Sequence, residues 1–125
     1  MIKLGPVANR EEAKKIFCKF NLTLNDDSGC VTALDGEEIL GYCLYDFNRE
    51  RMIIRKIFPT DDLALADGIL RSTLHIAAER SVMNAYYEDD ETMALCDRLS
   101  FIKDRQKNLI NIEKLFVSCG SCAKS

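Results

Sequence analysis

The stretch MIIRKIFPTDDLALADGILRSTLHIAAER, Met52 to Arg80, decides the fold. Its first seven residues read as a strand, Met52 to Phe58, and Pro59 ends the pairing because it has no N–H to donate. From there Leu63, Ala66, Leu70, Thr73, Leu74 and Ala77 recur at i, i+3, i+4 and i+7 spacing, the stripe of a helix packed on a sheet. A strand that turns straight into a helix aims the helix's unsatisfied N–H groups and positive dipole end beyond the strand's carboxyl end. That is a place for an anionic ligand.

Upstream, Glu38 to Phe47 is apolar in both alternating sets, as a central strand should be, and Asp35-Gly36 joins it to a strand over Cys30 to Leu34. Asn21 to Gly29 is a polar loop. Before it, Asn9 caps one amphipathic helix that ends near Phe20, with Ala13, Ile16 and Phe17 inward, and Met1 to Leu4 forms a short first strand. Downstream, Val82 to Tyr87 reads as a strand. Asp89 to Phe101, DDETMALCDRLSF, reads as a helix opened by acids, with Met93, Ala94, Leu95 and Leu99 inward. Phe101 to Asp104 and Leu109 to Phe116 are the last two strands. The order β-α-β-β-β-α-β-α-β-β predicts an α+β fold, a mixed, mainly antiparallel sheet flanked by helices. With 125 residues the chain has room for a single domain, 1–116, followed by a C-terminal tail, 117–125.

The 47% hydrophobic and 30% charged fractions are those of an ordinary globular protein. A net charge of −3 without a polybasic run argues against nucleic acid or an anionic membrane as partner. The N-terminus has no signal-like apolar run and no segment is long enough to span a bilayer, so the expected location is cytoplasmic. Reduced thiols are then expected: Cys18, Cys30, Cys43 and Cys96 lie in periodic apolar segments, where Cys behaves as a small buried hydrophobe. Cys119 and Cys122 form a C-x-x-C pair in the tail. One such pair lacks the further ligands that zinc needs, so no metal is expected, although a thiol or metal protein using this pair with an upstream cysteine is a third reading. His75, the one histidine, lies beside the helical stripe and reads as a partly buried helix residue.

The element order and the strand-turn-helix resemble the GCN5-related N-acetyltransferase (GNAT) superfamily over most of the chain from Gly29 onward. In that family the strand before the turn holds the pantetheine arm of acetyl-CoA, and a Q/R-x-x-G-x-G/A turn cradles the pyrophosphate. Ile57 and Phe58 match the end of that strand, and Asp61-Asp62-Leu63-Ala64-Leu65-Ala66 occupies the turn. Only Ala66 fits its consensus: Asp61 replaces Gln or Arg, and Ala64 replaces the first Gly. A second landmark, N-x-x-A-x-x-L-Y-x-x-x-G-F, is similar to Asp89 to Phe101, with Asp89 in the Asn place, Cys96 in the place of the tyrosine general acid, and Ser100-Phe101 for Gly-Phe.

The resemblance implies an acyl-CoA N-acyltransferase (GNAT-like) fold and an N-acetyltransferase with acetyl-CoA as co-substrate. Ile57, Phe58, Leu63, Ala64, Leu65, Ala66, Asp67 and Asp89 are then the expected cofactor-binding residues and Cys96 the expected acid. Glu88, ending its strand, is the candidate base, with Asp46 the second choice. Asp61 and Asp62 either cap the helix or oppose a pyrophosphate, each by on the order of a kcal/mol at surface-like dielectric. Tyr42 and Tyr45 alternate to opposite faces of the central strand, and Arg55 and Lys56 to opposite faces of theirs, so that one cation of the latter pair could meet an acidic acceptor. The acceptor is expected to be a small-molecule or peptide amine. A single helix before Cys30, where the family often has two, leaves the acceptor cleft more open or completed by the second subunit of a homodimer. The competing reading is a catalytically degenerate member of the fold that binds a ligand or partner.

Overall fold

The structure, a computed structural model, describes residues 1–115. Phe116 and the tail carrying Cys119 and Cys122 lie outside the described residues. The elements follow the expected order: β1 (Ile2–Pro6), α1 (Arg10–Cys18), β2 (Ser28–Asp35), β3 (Glu38–Asn48), β4 (Arg51–Phe58), α2 (Leu63–Glu79), β5 (Asn84–Tyr87), α3 (Asp90–Arg98), β6 (Ile102–Asp104) and β7 (Leu109–Ile110). They build one seven-stranded sheet in the order β1-β2-β3-β4-β5-β7-β6. Every neighbouring pair is antiparallel except β4 with β5, whose parallel pairing uses α2 as its crossover.

Each helix begins for a local reason. Asn9 accepts from the Glu11 and Glu12 N–H groups, Asp62 from Leu65 N and Asp89 from Thr92 N, so side chains replace the partners that a first turn lacks. α2 and α3 cover one face of the sheet, where Ile69, Leu70 and Leu74 meet Val31, Cys43, Ile54 and Phe101 in the main core. α1 covers the other face with a small cluster, Ile16 and Phe17 on Cys30 and Leu44. Tyr45 belongs to the first face and Tyr42 to the second, as the alternation predicts.

Several expectations are corrected. α1 stops at Cys18, because Phe20 N and Asn21 N bond back three residues and Asn21 takes a left-handed φ of 57°. Cys18 is exposed, since the buried stripe of α1 is Ala13, Ile16 and Phe17. In α3 the fully buried residues are Thr92, Leu95 and Cys96, Met93 and Leu99 pack partly buried against the core as expected, and Ala94 is exposed. β7 ends at Ile110, because Asn111 N turns to Phe101 O and Ile112 drops into the core. His75 is exposed and pairs with Glu79 at 3.1 Å, one helical turn on.

Gly41 sets the approach of β4 to β3. A Cβ there would lie 2.6 Å from the Phe58 carbonyl oxygen, 2.7 Å from Ile69 Cδ1 and 2.8 Å from Pro59 Cδ. The end of β4 and the head of α2 can close over β3 only because this position has no side chain.

Candidate active site

β4 and β5 pair from Arg51 with Asn84 as far as Ile54 with Tyr87. Beyond that point β4 runs on to Phe58 against β3 alone, while β5 ends and the chain enters α3. Residues 55–58 therefore present a backbone edge without ladder bonds to β5, and the strands part here into an opening crossed by ion pairs from Arg55 and Lys56 to the Glu88–Glu91 junction.

A β-bulge causes the divergence. Tyr45 stands opposite Ile54 and Leu44 opposite Lys56, which makes Arg55 an extra residue that bends β4. Met52, Ile54 and Ile57 then all reach the main core, and both Arg55 and Lys56 reach the α1 side. The expectation that these two cations face opposite sides is thus corrected. The sequence does carry a sign of it: Lys56 stands in the alternating phase of Met52 and Ile54, while Ile57 stands out of it.

The α1 side of the opening is charged and aromatic. Asp46 is buried, accepts a hydrogen bond from the Ser28 hydroxyl, and holds Arg55 Nη1 at 2.5 Å. On its other side the Arg55 Nε atom lies 2.6 Å from Glu88 Oε1, yet this buried N–H makes no aligned hydrogen bond. The contact is an attraction of charges with poor geometry. Lys56 reaches Glu91 at 3.5 Å and lies over the Phe20 ring. Phe20, Tyr42 and Phe58 form a wall, with ring centroids 5.6 Å and 5.5 Å apart in succession. Burial raises the Tyr42 phenol above its ordinary range, and the nearby Cys30 adds to this, so the hydroxyl stays neutral.

Of the expected cofactor-binding residues, Ile57 and Phe58 do lie on the unpaired stretch of β4. The turn itself is short, only Pro59 to Asp62, so Leu63, Ala64, Leu65 and Ala66 form the first turn of α2 instead of a loop. Ala66 N already donates to Asp62 O, and Leu65 N to the Asp62 carboxylate. By position the Leu63 and Ala64 N–H groups are the ones that α2 leaves for an anion. An anion at these two groups would share the helix end with the Asp62 carboxylate. Asp67 is tied to Arg71 Nε at 2.9 Å, and Asp89 is engaged as the α3 cap. A groove of about 1210 Å³ lies on the other flank of the turn, toward β1, lined by Leu4, Leu40, Phe58 and Leu63 and by Asp61 and Asp62 of the turn itself. It adjoins the helix end but contains none of the charged groups of the opening.

Cys96 is 0% exposed, and burial pushes its thiol up to about 12. Packed among Leu95, Phe101 and Tyr87 in the main core, it is a poor proton donor to an open cleft, and the acid role implied for it is not supported by its surroundings. Glu88, in contrast, stands at the neck of the opening with about half of its side chain exposed. Sequence reasoning passed over Glu91 and the Ser28–Asp46–Arg55 network, since both depend on the bulge and on pairings between distant strands.

No family model matches the sequence, and no curated protein matches it. Solved structures do match in three dimensions. An acetyltransferase of the GNAT family from Staphylococcus aureus Mu50 aligns over 80% of this chain and 82% of its own, with a TM-score of 0.55 at 13% identity. The ribosomal-protein-S18-alanine N-acetyltransferase from Escherichia coli aligns over 83% and 79%, with a TM-score of 0.60 at 10% identity. The PaiA N-acetyltransferase from Thermoplasma acidophilum, solved in complex with coenzyme A, aligns over 78% and 64%, with a TM-score of 0.51 at 8% identity. Among the described residues no helix is long and apolar enough to cross a membrane. With its mixed seven-stranded sheet, bulged fourth strand and parted fifth strand, the chain has the fold of the GNAT-family acetyltransferases.

Proposed function

We propose that the protein is an N-acetyltransferase that moves the acetyl group of acetyl-CoA to an amine at the opening between β4 and β5. The observation that carries this reading is the parting of the two strands after Ile54 and Tyr87, at a bulge whose side chains gather carboxylates at the neck. The free edge of residues 55–58 offers amide partners to a pantetheine arm, and Leu63 and Ala64 offer N–H groups to a phosphate. When bound, acetyl-CoA supplies an acyl group already activated as a thioester. The amine nitrogen attacks the thioester carbonyl carbon, the C–N bond forms as the C–S bond breaks, and the thiolate leaves. Glu88 takes the proton that the amine loses, and the thiolate takes its own from solvent at the open mouth. Cys96 has no part in this scheme.

Calorimetric titration with acetyl-CoA tests the first step, and release of free thiol in the presence of an amine panel tests the second. The reading fails if acetyl-CoA does not bind at roughly millimolar concentration, which corresponds to about 4 kcal/mol. If it holds, Glu88→Gln lowers kcat by about 10²-fold or more with acetyl-CoA affinity unchanged, and Cys96→Ala leaves kcat within about twofold. One observation favours a second reading, a ligand-binding module without turnover: the Asp62 carboxylate already occupies an N–H at the helix end that a pyrophosphate would use. Binding of coenzyme A without thiol release from acetyl-CoA under any acceptor would select it.

A further inference from the structure

The donor edge of Arg55 is the least satisfied polar group at the opening. Its Nη1 is fixed by Asp46, which the Ser28 hydroxyl holds in turn, so the guanidinium keeps its place whatever happens on its other side. On that other side the buried Nε–H has a carboxylate within 2.6 Å and still no aligned hydrogen bond. Among the described residues Glu88 is the ion-pair partner on this edge, and about half of the Glu88 side chain is in solvent. A guanidinium edge in this state suits a carboxylate that can approach in its plane. Next to it stand a second cation, Lys56, paired loosely with Glu91, and the wall of Phe58, Tyr42 and Phe20.

We infer that the acceptor is a zwitterion of the free α-amino acid class, with an apolar or aromatic side chain. Its carboxylate takes the Arg55 edge and displaces Glu88; its ammonium takes the displaced Glu88; its side chain lies on the Phe58–Tyr42 wall. Charge balance separates this class from the others. A simple ammonium ion draws Glu88 away and leaves the buried Arg55 edge with nothing in its place. A simple carboxylate frees Glu88 beside Asp89, Asp90 and Glu91, a run of four acids that repel one another. A zwitterion exchanges one ion pair for two and strands no charge. It also brings the amine to the carboxylate that the proposed reaction uses as base. The inference rests on the acetyl-transfer reading for its chemistry, but binding of the acceptor does not require acetyl-CoA.

The test is titration of the full chain, without acetyl-CoA, by phenylalanine, phenylalaninamide, phenethylamine and N-acetylphenylalanine, followed by NMR or calorimetry. These keep the ring and remove the carboxylate charge, the carboxylate, or the amine charge in turn. Phenylalanine is expected to bind at least about tenfold more tightly than each of the other three. Arg55→Lys keeps a cation for Asp46 but loses the flat donor edge, and is expected to reduce that preference to about twofold or less. Equal or tighter binding of the amide or the amine overturns the inference, as does an undiminished preference in a folded Arg55→Lys protein, or no binding of any probe at roughly 10 mM. Failure of the two readings looks different. If phenylalanine binds selectively and is never acetylated, the acyl-transfer reading falls and the acceptor class stands. If acetyl-CoA binds and phenethylamine is acetylated in preference to phenylalanine, the acceptor class falls alone.

Discussion

The two faces of the sheet are built to different ends. Under α2 and α3, residues from every strand except β1 join one continuous core that includes Ile54, Ile57, Leu70, Leu74, Leu95 and Phe101. Under α1 the buried cluster is Ile16, Phe17, Cys30 and Leu44, with Val7, Phe20, Leu22 and Leu24 packed partly buried against it, and the same face also carries Asp46, Arg55, Lys56 and the half-buried Tyr42. A second helix on the α1 side would cover Arg55, Lys56 and Tyr42; with one helix these stay within reach of solvent. Stability is concentrated on one side and charge on the other. The bulge at Arg55 is what allows this, since it turns Ile57 into the core and both cations out of it.

Matched deletions on the two faces would break the comparison if it is wrong. Leu70 and Leu44 are both fully buried, so their truncations remove the same atoms. Leu70→Ala empties the middle of a core held on all sides and is expected to cost about 4 kcal/mol, near the upper part of the range for such changes. Leu44→Ala opens a small cluster under a nine-residue helix that can settle inward, and about 2–3 kcal/mol is expected. Urea denaturation of the two variants decides it, and equal losses would mean that the α1 side is as rigid as the other. Gly41→Ala tests the joint between the faces. Its Cβ meets the Phe58 carbonyl at 2.6 Å, and backbone cannot rotate aside as a side chain can, so a loss of about 2 kcal/mol is expected. A shift of the Phe58 and Tyr42 resonances should accompany that loss, because the same contact sets where β4 ends.

Much of this fold was legible in residue spacing. The alternation along Glu38 to Phe47 and the stripe from Ala66 to Ala77 each have one good solution, and the structure adopts it, although Leu63 stays exposed and the hairpin turns at Gly36-Glu37, one residue later than Asp35-Gly36. The resemblance to the acetyltransferase fold could be read for the same reason, from element order. The site was less legible. Glu88 and Asp46 could be named as carboxylates at strand ends, but a bulge adds one residue to one strand, and simple alternation cannot say where. Strict alternation therefore puts Arg55 and Lys56 on opposite faces, and only the break of phase at Ile57 points to the bulge. Cys96 was matched by position to a tyrosine that acts as an acid, whereas a helix position records only which residues share a face. In the fold it is buried in the same core as Leu95 and Phe101.

The thiols give a pH test of both cores. Burial moves Cys30, on the α1 side, and Cys96, on the α2 side, from an ordinary 9.0 up to about 12. A thiol raised in the folded state holds its proton there after the unfolded chain has lost it. Its stabilising share is complete below pH 9 and is lost as pH rises toward 12, at about 1.4 kcal/mol per pH unit per thiol. Urea midpoints measured from pH 8 to 10 should fall accordingly. Cys30→Ala and Cys96→Ala should each flatten the decline, by about 1.4 kcal/mol at pH 10, and by equal amounts. Unequal flattening would show that the smaller cluster admits water that the larger one excludes.

The smallest effect comes from the chain reversals that end α1 and α3. Asn21 and Ser100 both adopt left-handed backbone, with φ of 57° and 61°. Asn enters this region readily because its short amide can bond locally, whereas Ser meets the Cβ penalty more fully. Ser100→Gly removes that penalty at the cost of a looser unfolded chain, for an expected net gain of about 0.5–1 kcal/mol. Asn21→Gly should change stability by no more than a few tenths of a kcal/mol. The gain at Ser100 has a second reading in the temperature midpoint, which should rise by several degrees for a domain of this size. If Asn21→Gly stabilises as much, then strain is shared between the two faces, and the division between a stable side and a reactive side is less sharp than the packing suggests.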